Sequence, residues 1–324
     1  MSMSTPTSYA LLPAIRAFFV LQILSASLFM LIVIAAVVSH IRGLERRNAT
    51  FYSFCAAWII YGFSFSLLVL AGQPPWKGDP EFKLCFAQVT LIYMAPLVTI
   101  STTLALLLHL LFEILCAVVE IKLAQKWRRW RSFAPLLVLI PWTIAVIASI
   151  AFAVYSSQHR DLVALSNRRT FCKLHGSTIQ LVSPIYSTIG SAIIILVEAL
   201  VAALMYRHWD IVSRNGSSMF IRAVIFTVTI AVSTGIAAKY SSTATPSIGF
   251  DIGLATLPLI AAILFGSQKD LFLAFVFWKD SEKLNSTRRN SIGSVDGNTC
   301  LTSHMMNIDS ESMAETSTIS SVGR

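Results

Sequence analysis

Long apolar runs cut by short polar clusters set the pattern of this chain. Seven such runs fall at about 17–41, 51–72, 86–119, 134–155, 178–206, 221–238 and 247–266. A helix needs roughly 20 apolar residues to cross the hydrocarbon core, so each run has the length of a transmembrane helix. Charge or Pro and Gly breakers bound every run. The third is long enough to tilt or protrude. No fixed-period repeat and no inverted half-to-half pattern, of the kind many secondary transporters carry, is visible.

After Gly266 the pattern changes. Ser267-Gln268-Lys269-Asp270 leads into the apolar stretch Leu271 to Trp278, closed by Lys279-Asp280. Eight apolar residues are too few to span a bilayer, and a short interfacial eighth helix over 267–280 fits them, with Trp278 at headgroup level. Beyond it, 281–324 is rich in Ser, Thr and Asn, has little to bury and reads as a disordered tail. Its Arg288-Arg289-Asn290-Ser291 is either a basic kinase substrate or a plain solvated stretch. The expected fold is all-α: a short segment 1–16, a seven-transmembrane helix bundle over 17–266, the interfacial helix and the tail. The first run is too long for a signal-peptide core and reads as a retained signal anchor.

Composition agrees. With 55% hydrophobic and 13% charged residues and a mean hydropathy of +0.70, the chain lacks the roughly 25% charge of a soluble domain. Its net charge of +9 comes from short basic clusters between apolar runs, where lipid headgroups attract them, so no nucleic-acid partner is needed. The positive-inside rule then orients the bundle. With the amino terminus outside, the inner segments hold seventeen of the 25 Lys and Arg, including Arg42, Arg46, Arg47, Lys122, Lys126, Arg128, Arg129 and Arg131, and the outer segments hold eight. Arg160, Arg168, Arg169 and Lys173 are the main dissent. The tail is expected in the cytoplasm and the protein in the plasma membrane.

On this topology Cys85, at the start of the third helix, and Cys172, in the loop before the fifth, both face an oxidising compartment, and a disulfide between them is expected over two free thiols. Cys55 and Cys116 inside helices and Cys300 in the tail are expected reduced. The five cysteines show no zinc-type spacing.

His109, Glu113, Cys116 and Glu120 recur at helical spacing and make one polar face on the third helix. Ionisable groups within a membrane are costly and mark function by default, Glu198 being another. Three readings stand: a polar lock at the inner surface with Arg222, Lys122 or Arg207 as basic partner; a metal pair of His109 and Glu113, for which further His ligands at membrane depth are missing; or a solvated Glu120 beside a protonated Glu113. We expect the lock, with Glu113 facing the bundle interior, and no metal. Toward the outer side, Gln88, Tyr93, Gln180, Ser183, Tyr186, Lys239 and Asp251 line a candidate cavity mouth or are ordinary interfacial residues. Pro96, Pro141, Pro184 and Pro258 interrupt four helices, which suits a mobile bundle but is common in membranes. No GxSxG, HExxH, P-loop or GxGxxG occurs in a fitting context, so no enzyme, catalytic residue or cofactor is expected. A Schiff-base lysine for retinal is lacking between Ser247 and Gly266.

Seven helices, an outer amino terminus, the Cys85 and Cys172 pair, a basic second inner loop, an interfacial eighth helix and a Ser/Thr tail together resemble a G-protein-coupled receptor over residues 17–280. Leu257-Pro258, Phe265-Gly266 and Lys269-Asp270 resemble the seventh-helix exit of fungal pheromone receptors, and Leu91-Ile92-Tyr93-Met94-Ala95-Pro96 resembles seven-helix receptor-like proteins of mushroom-forming fungi. The resemblance implies a receptor for an extracellular ligand, with a heterotrimeric G protein as partner. Rhodopsin-like switches are missing: the third helix ends without Asp-Arg-Tyr, 221–238 lacks Cys-Trp-x-Pro, and no Asn precedes Pro258. A small transporter or channel is the alternative, and a membrane-embedded hydrolase comes third.

Overall fold

A computed structural model describes residues 7–41, 47–118, 134–166, 170–176, 178–207, 224–225, 228–229 and 248–267. Six long helices stand in the described residues: α1 (Thr7–Ile41), α2 (Ala49–Leu70), α3 (Phe82–Val118), α4 (Ala134–Gln158), α5 (Val182–Arg207) and α6 (Ile248–Gly266). They fall on six of the seven predicted runs. Five of them, α1 to α5, are long and apolar enough to cross a membrane, so the chain is a multi-pass integral membrane protein. Nearly all of the run 221–238, the eighth helix after 267 and the tail 281–324 lie outside the described residues.

Differences from the pattern are local. Helix α1 begins at Thr7, ten residues before the apolar run, and passes through Pro13, which has no N–H to give the Tyr9 carbonyl and so leaves one rung of the helix unmade. A two-stranded antiparallel sheet adds to the helices: β1 (Val163–Leu165) pairs with β2 (Cys172–Leu174) in the register Val163↔Leu174 and Leu165↔Cys172. Chain laid against the bundle must satisfy its own backbone groups, and the short ladder does so. Val163, Cys172 and Leu174 point down into a cluster with Leu68, Cys85 and Val89.

Helix α3 is the centre: it packs against α2, α4, α5 and both strands, while α1 packs against α2 and α6. Burial follows this order, with most of the apolar middle of α3 enclosed and most of that of α4 open. The open faces of α4 and α5 are apolar, with Ile147 and Leu196 about two-thirds exposed, as lipid contact requires. Between helices in lipid there is little hydrophobic driving force, so close fit and small residues hold them. Gly62 illustrates this: a Cβ there would stand 2.9 Å from the Gln22 carbonyl oxygen and from Ala26 Cβ on α1. Gly190 lies against Ile100 in the same way at the α3–α5 contact. Around the first site Phe18, Phe29, Phe54, Trp58, Tyr61, Phe65 and Phe265 form a chain of ring contacts joining α1, α2 and α6.

Candidate functional site

Polar chemistry gathers at the two ends of the α2–α3 pair. At one end Cys85 stands in the first turn of α3, and its disulfide to Cys172 closes with Cα atoms 5.5 Å apart, well inside the reach of a disulfide. The expected pair is formed. One turn further along α3, Gln88 is fully buried. Its Nε2 donates to the carbonyls of Ser64 (3.2 Å) and Phe65 (3.1 Å) near the end of α2, and its Oε1 accepts from the Cys172 backbone N–H at 3.0 Å. Gln88 is the hydrogen-bonded hub that joins hairpin, α3 and α2, and its amide is spent on backbone rather than turned to a cavity. Phe171, next to Cys172, meets the ring of Phe65 edge-on at 5.5 Å.

The other predicted mouth residues divide. Tyr93 stacks on Phe152 of α4 at 5.2 Å. Tyr186 and Ser101 share a hydrogen bond of 2.6 Å that ties α5 to α3, and Ser183 is buried one turn earlier on α5. Asp251 is buried in the first turn of α6. Lys239 and the side chain of Gln180 lie outside the described residues.

At the far end of α3, His109 and Glu113 meet as the helical spacing requires, with Nε2 and Oε1 3.1 Å apart. Asn48 joins them from the start of α2: its Nδ2 lies 2.6 Å from His109 Nε2 and donates to Glu113 Oε1 at 3.1 Å. Asn48 is the N-cap residue of α2 in extended backbone, yet its side chain makes no bond to its own helix. Sequence reasoning missed it, because an Asn before a helix reads as a cap. Glu113 is more exposed than expected, with 53% of its side chain open: it sits on the rim, reaching to α2, rather than in the interior. Glu198, like Asp251, is an enclosed acid. It is 7% exposed and shares its face of α5 with Ile194, Val201 and Met205. Its Oε1 has no hydrogen-bond partner among the described residues. Glu120, Arg222 and the side chain of Cys116 lie outside them, and Cys55 is a buried free thiol. Among the described residues no three His, Cys, Asp or Glu side chains converge as a metal site would need.

The arrangement is a pair of mechanical ties. A covalently anchored hairpin grips α2 and α3 at one end, and a solvent-touching polar tie joins the same two helices at the other. No family model matches this chain, and no curated protein matches it.

Proposed function

We propose that the protein is a seven-helix cell-surface receptor in the plasma membrane, with the disulfide end outside and the Asn48 end in the cytoplasm. The observation that carries the reading is the Gln88 hub, which couples the Cys172 hairpin to the backbone of α2 through buried hydrogen bonds. A ligand that displaces the hairpin pulls on α2 and α3 together. The response at the far end is a change in the tie among Asn48, His109 and Glu113, which is half-exposed and easily exchanged for water. Two packings that differ there present two surfaces to a cytoplasmic partner, a heterotrimeric G protein in this reading.

The absence of an inverted half-to-half pattern in the sequence, of the kind many secondary transporters carry, supports a receptor over a transporter. The test is nucleotide exchange on purified Gα subunits by the full chain in nanodiscs, across a library of ligands. Ligand-dependent exchange that vanishes on reduction of the disulfide supports the proposal. Solute flux in proteoliposomes, with no exchange under any ligand, sinks it in favour of a transporter.

A further inference from the structure

The middle of α1 carries a second feature, away from both ends. Gln22 is fully buried, and neither its Nε2 nor its Oε1 has a hydrogen-bond partner among the described residues. Ser66 of α2 is fully buried too, and its Oγ lacks a partner in the same way. The register of the two helices brings these residues together. Gly62 lies against the Gln22 carbonyl and Ala26, and Ser66 follows Gly62 by one helical turn on the same face. Phe65 meets Phe18, one turn before Gln22, so Ser66 faces the stretch from Phe18 to Gln22. Phe18 and Phe65, next to the site on either helix, meet edge-on and belong to one core cluster with Phe29, Trp58 and Tyr61.

A primary amide held inside a membrane protein with both ends unmet is costly, because no bulk water reaches it. Native structures rarely leave such groups unpartnered, and two of them on facing helix surfaces point to an occupant. The donors and acceptors define its chemistry. Gln22 offers one carbonyl oxygen and an NH₂ group, and Ser66 offers a hydroxyl that both gives and takes. Neither residue carries charge. The matching guest is neutral, both donates and accepts, and is small where it meets the amide: a hydroxyl group.

We propose that the α1–α2 face at Gln22 and Ser66 is a binding site for a neutral hydroxyl, supplied either by a buried water or by the head of a membrane-borne alcohol whose apolar body lies along the aromatic wall. The site stands apart from the receptor reading, because its test reads stability and not signalling. The experiment compares thermal midpoints of the full chain in nanodiscs for the parent, Gln22→Met and Ser66→Ala, each with and without octanol as probe. Met keeps the length of Gln and removes its polar atoms, and Ser66→Ala is mild enough to fold if Gln22→Met does not.

With a hydroxyl bound, both substitutions lower the midpoint by several degrees, since each removes hydrogen bonds to the guest. If the guest is an alcohol, octanol raises the parent midpoint and leaves both variants unmoved. If it is water, octanol moves none of them, and radiolytic labelling of the parent in ¹⁸O-water marks Phe18 and Phe65 beside it. An empty site gives the opposite sign: deleting the unmet groups raises both midpoints, and that result overturns the proposal.

Discussion

The two ends of the α2–α3 pair are tied by different means. At the disulfide end the tie is a covalent bond plus three hydrogen bonds on a fully buried Gln88. At the Asn48 end it is a contact among side chains of which Glu113 is half open to solvent. Buried hydrogen bonds have no water to replace them and are expensive to break, whereas exposed ones exchange at little cost. One end of the pair is costly to part and the other cheap.

The largest effect is expected at the disulfide. Cys85 and Cys172 are 87 residues apart in sequence, so the bond removes much freedom from the unfolded chain. Replacing both by Ser should cost about 2 to 5 kcal/mol, read as a lowered thermal midpoint and loss of folded protein at the cell surface. A double variant as stable as the parent would show that Gln88 alone holds the hairpin.

Gln88→Leu comes next. It strands the Cys172 N–H and removes two donations to α2 while leaving the disulfide in place, at a cost of about 2 to 3 kcal/mol. The same substitution should weaken ligand-dependent coupling more than it lowers surface expression. Equal losses in both would make Gln88 a plain structural residue and dissolve the distinction between the ends.

Much of this frame was legible in the sequence, and the reason is physical. Lipid demands about 20 apolar residues per crossing, so six described helices fall where the hydropathy pattern put them, and the position of Cys85 and Cys172 at one end of the bundle was enough to pair them. The roles of individual polar residues were not legible. Gln88 looked like a pocket residue because a Gln near a helix end has many uses, and only the hairpin placed over it shows where its amide is spent. Asn48 drew no attention because its partners stand more than sixty positions away on α3. Gln22 and Ser66, lone polar positions in apolar runs, gave no periodic signal. The sheet was missed because three-residue strands leave no alternation to count.

Glu198 tests the interior between the ends. An acid placed in the apolar layer costs roughly 2.5 to 3.5 kcal/mol on insertion scales, and Oε1 recovers none of it through hydrogen bonds among the described residues. Glu198→Leu should therefore raise stability by about 1 to 3 kcal/mol, measured as a higher thermal midpoint in nanodiscs. A fall instead would reveal a basic or donor partner for the acid, and with it a third tie to α5.

The smallest change in stability and the sharpest test of the comparison belong to Asn48. Its side chain reaches across to His109 and Glu113 and leaves the first turn of α2 without a side-chain cap. Asn48→Ser exchanges one use for the other. Serine is too short to keep the contact with α3, which costs about 1 kcal/mol, but as an N-cap it satisfies a free N–H of α2 and returns about as much. The midpoint should shift by less than about 1 kcal/mol while the tie between the helices is gone. If that tie restrains the resting packing, the variant exchanges nucleotide on Gα without ligand, and Asn48→Ala does the same with lower stability because it gains no cap. Basal exchange unchanged in both variants would mean that opening at this end is not what a G protein reads.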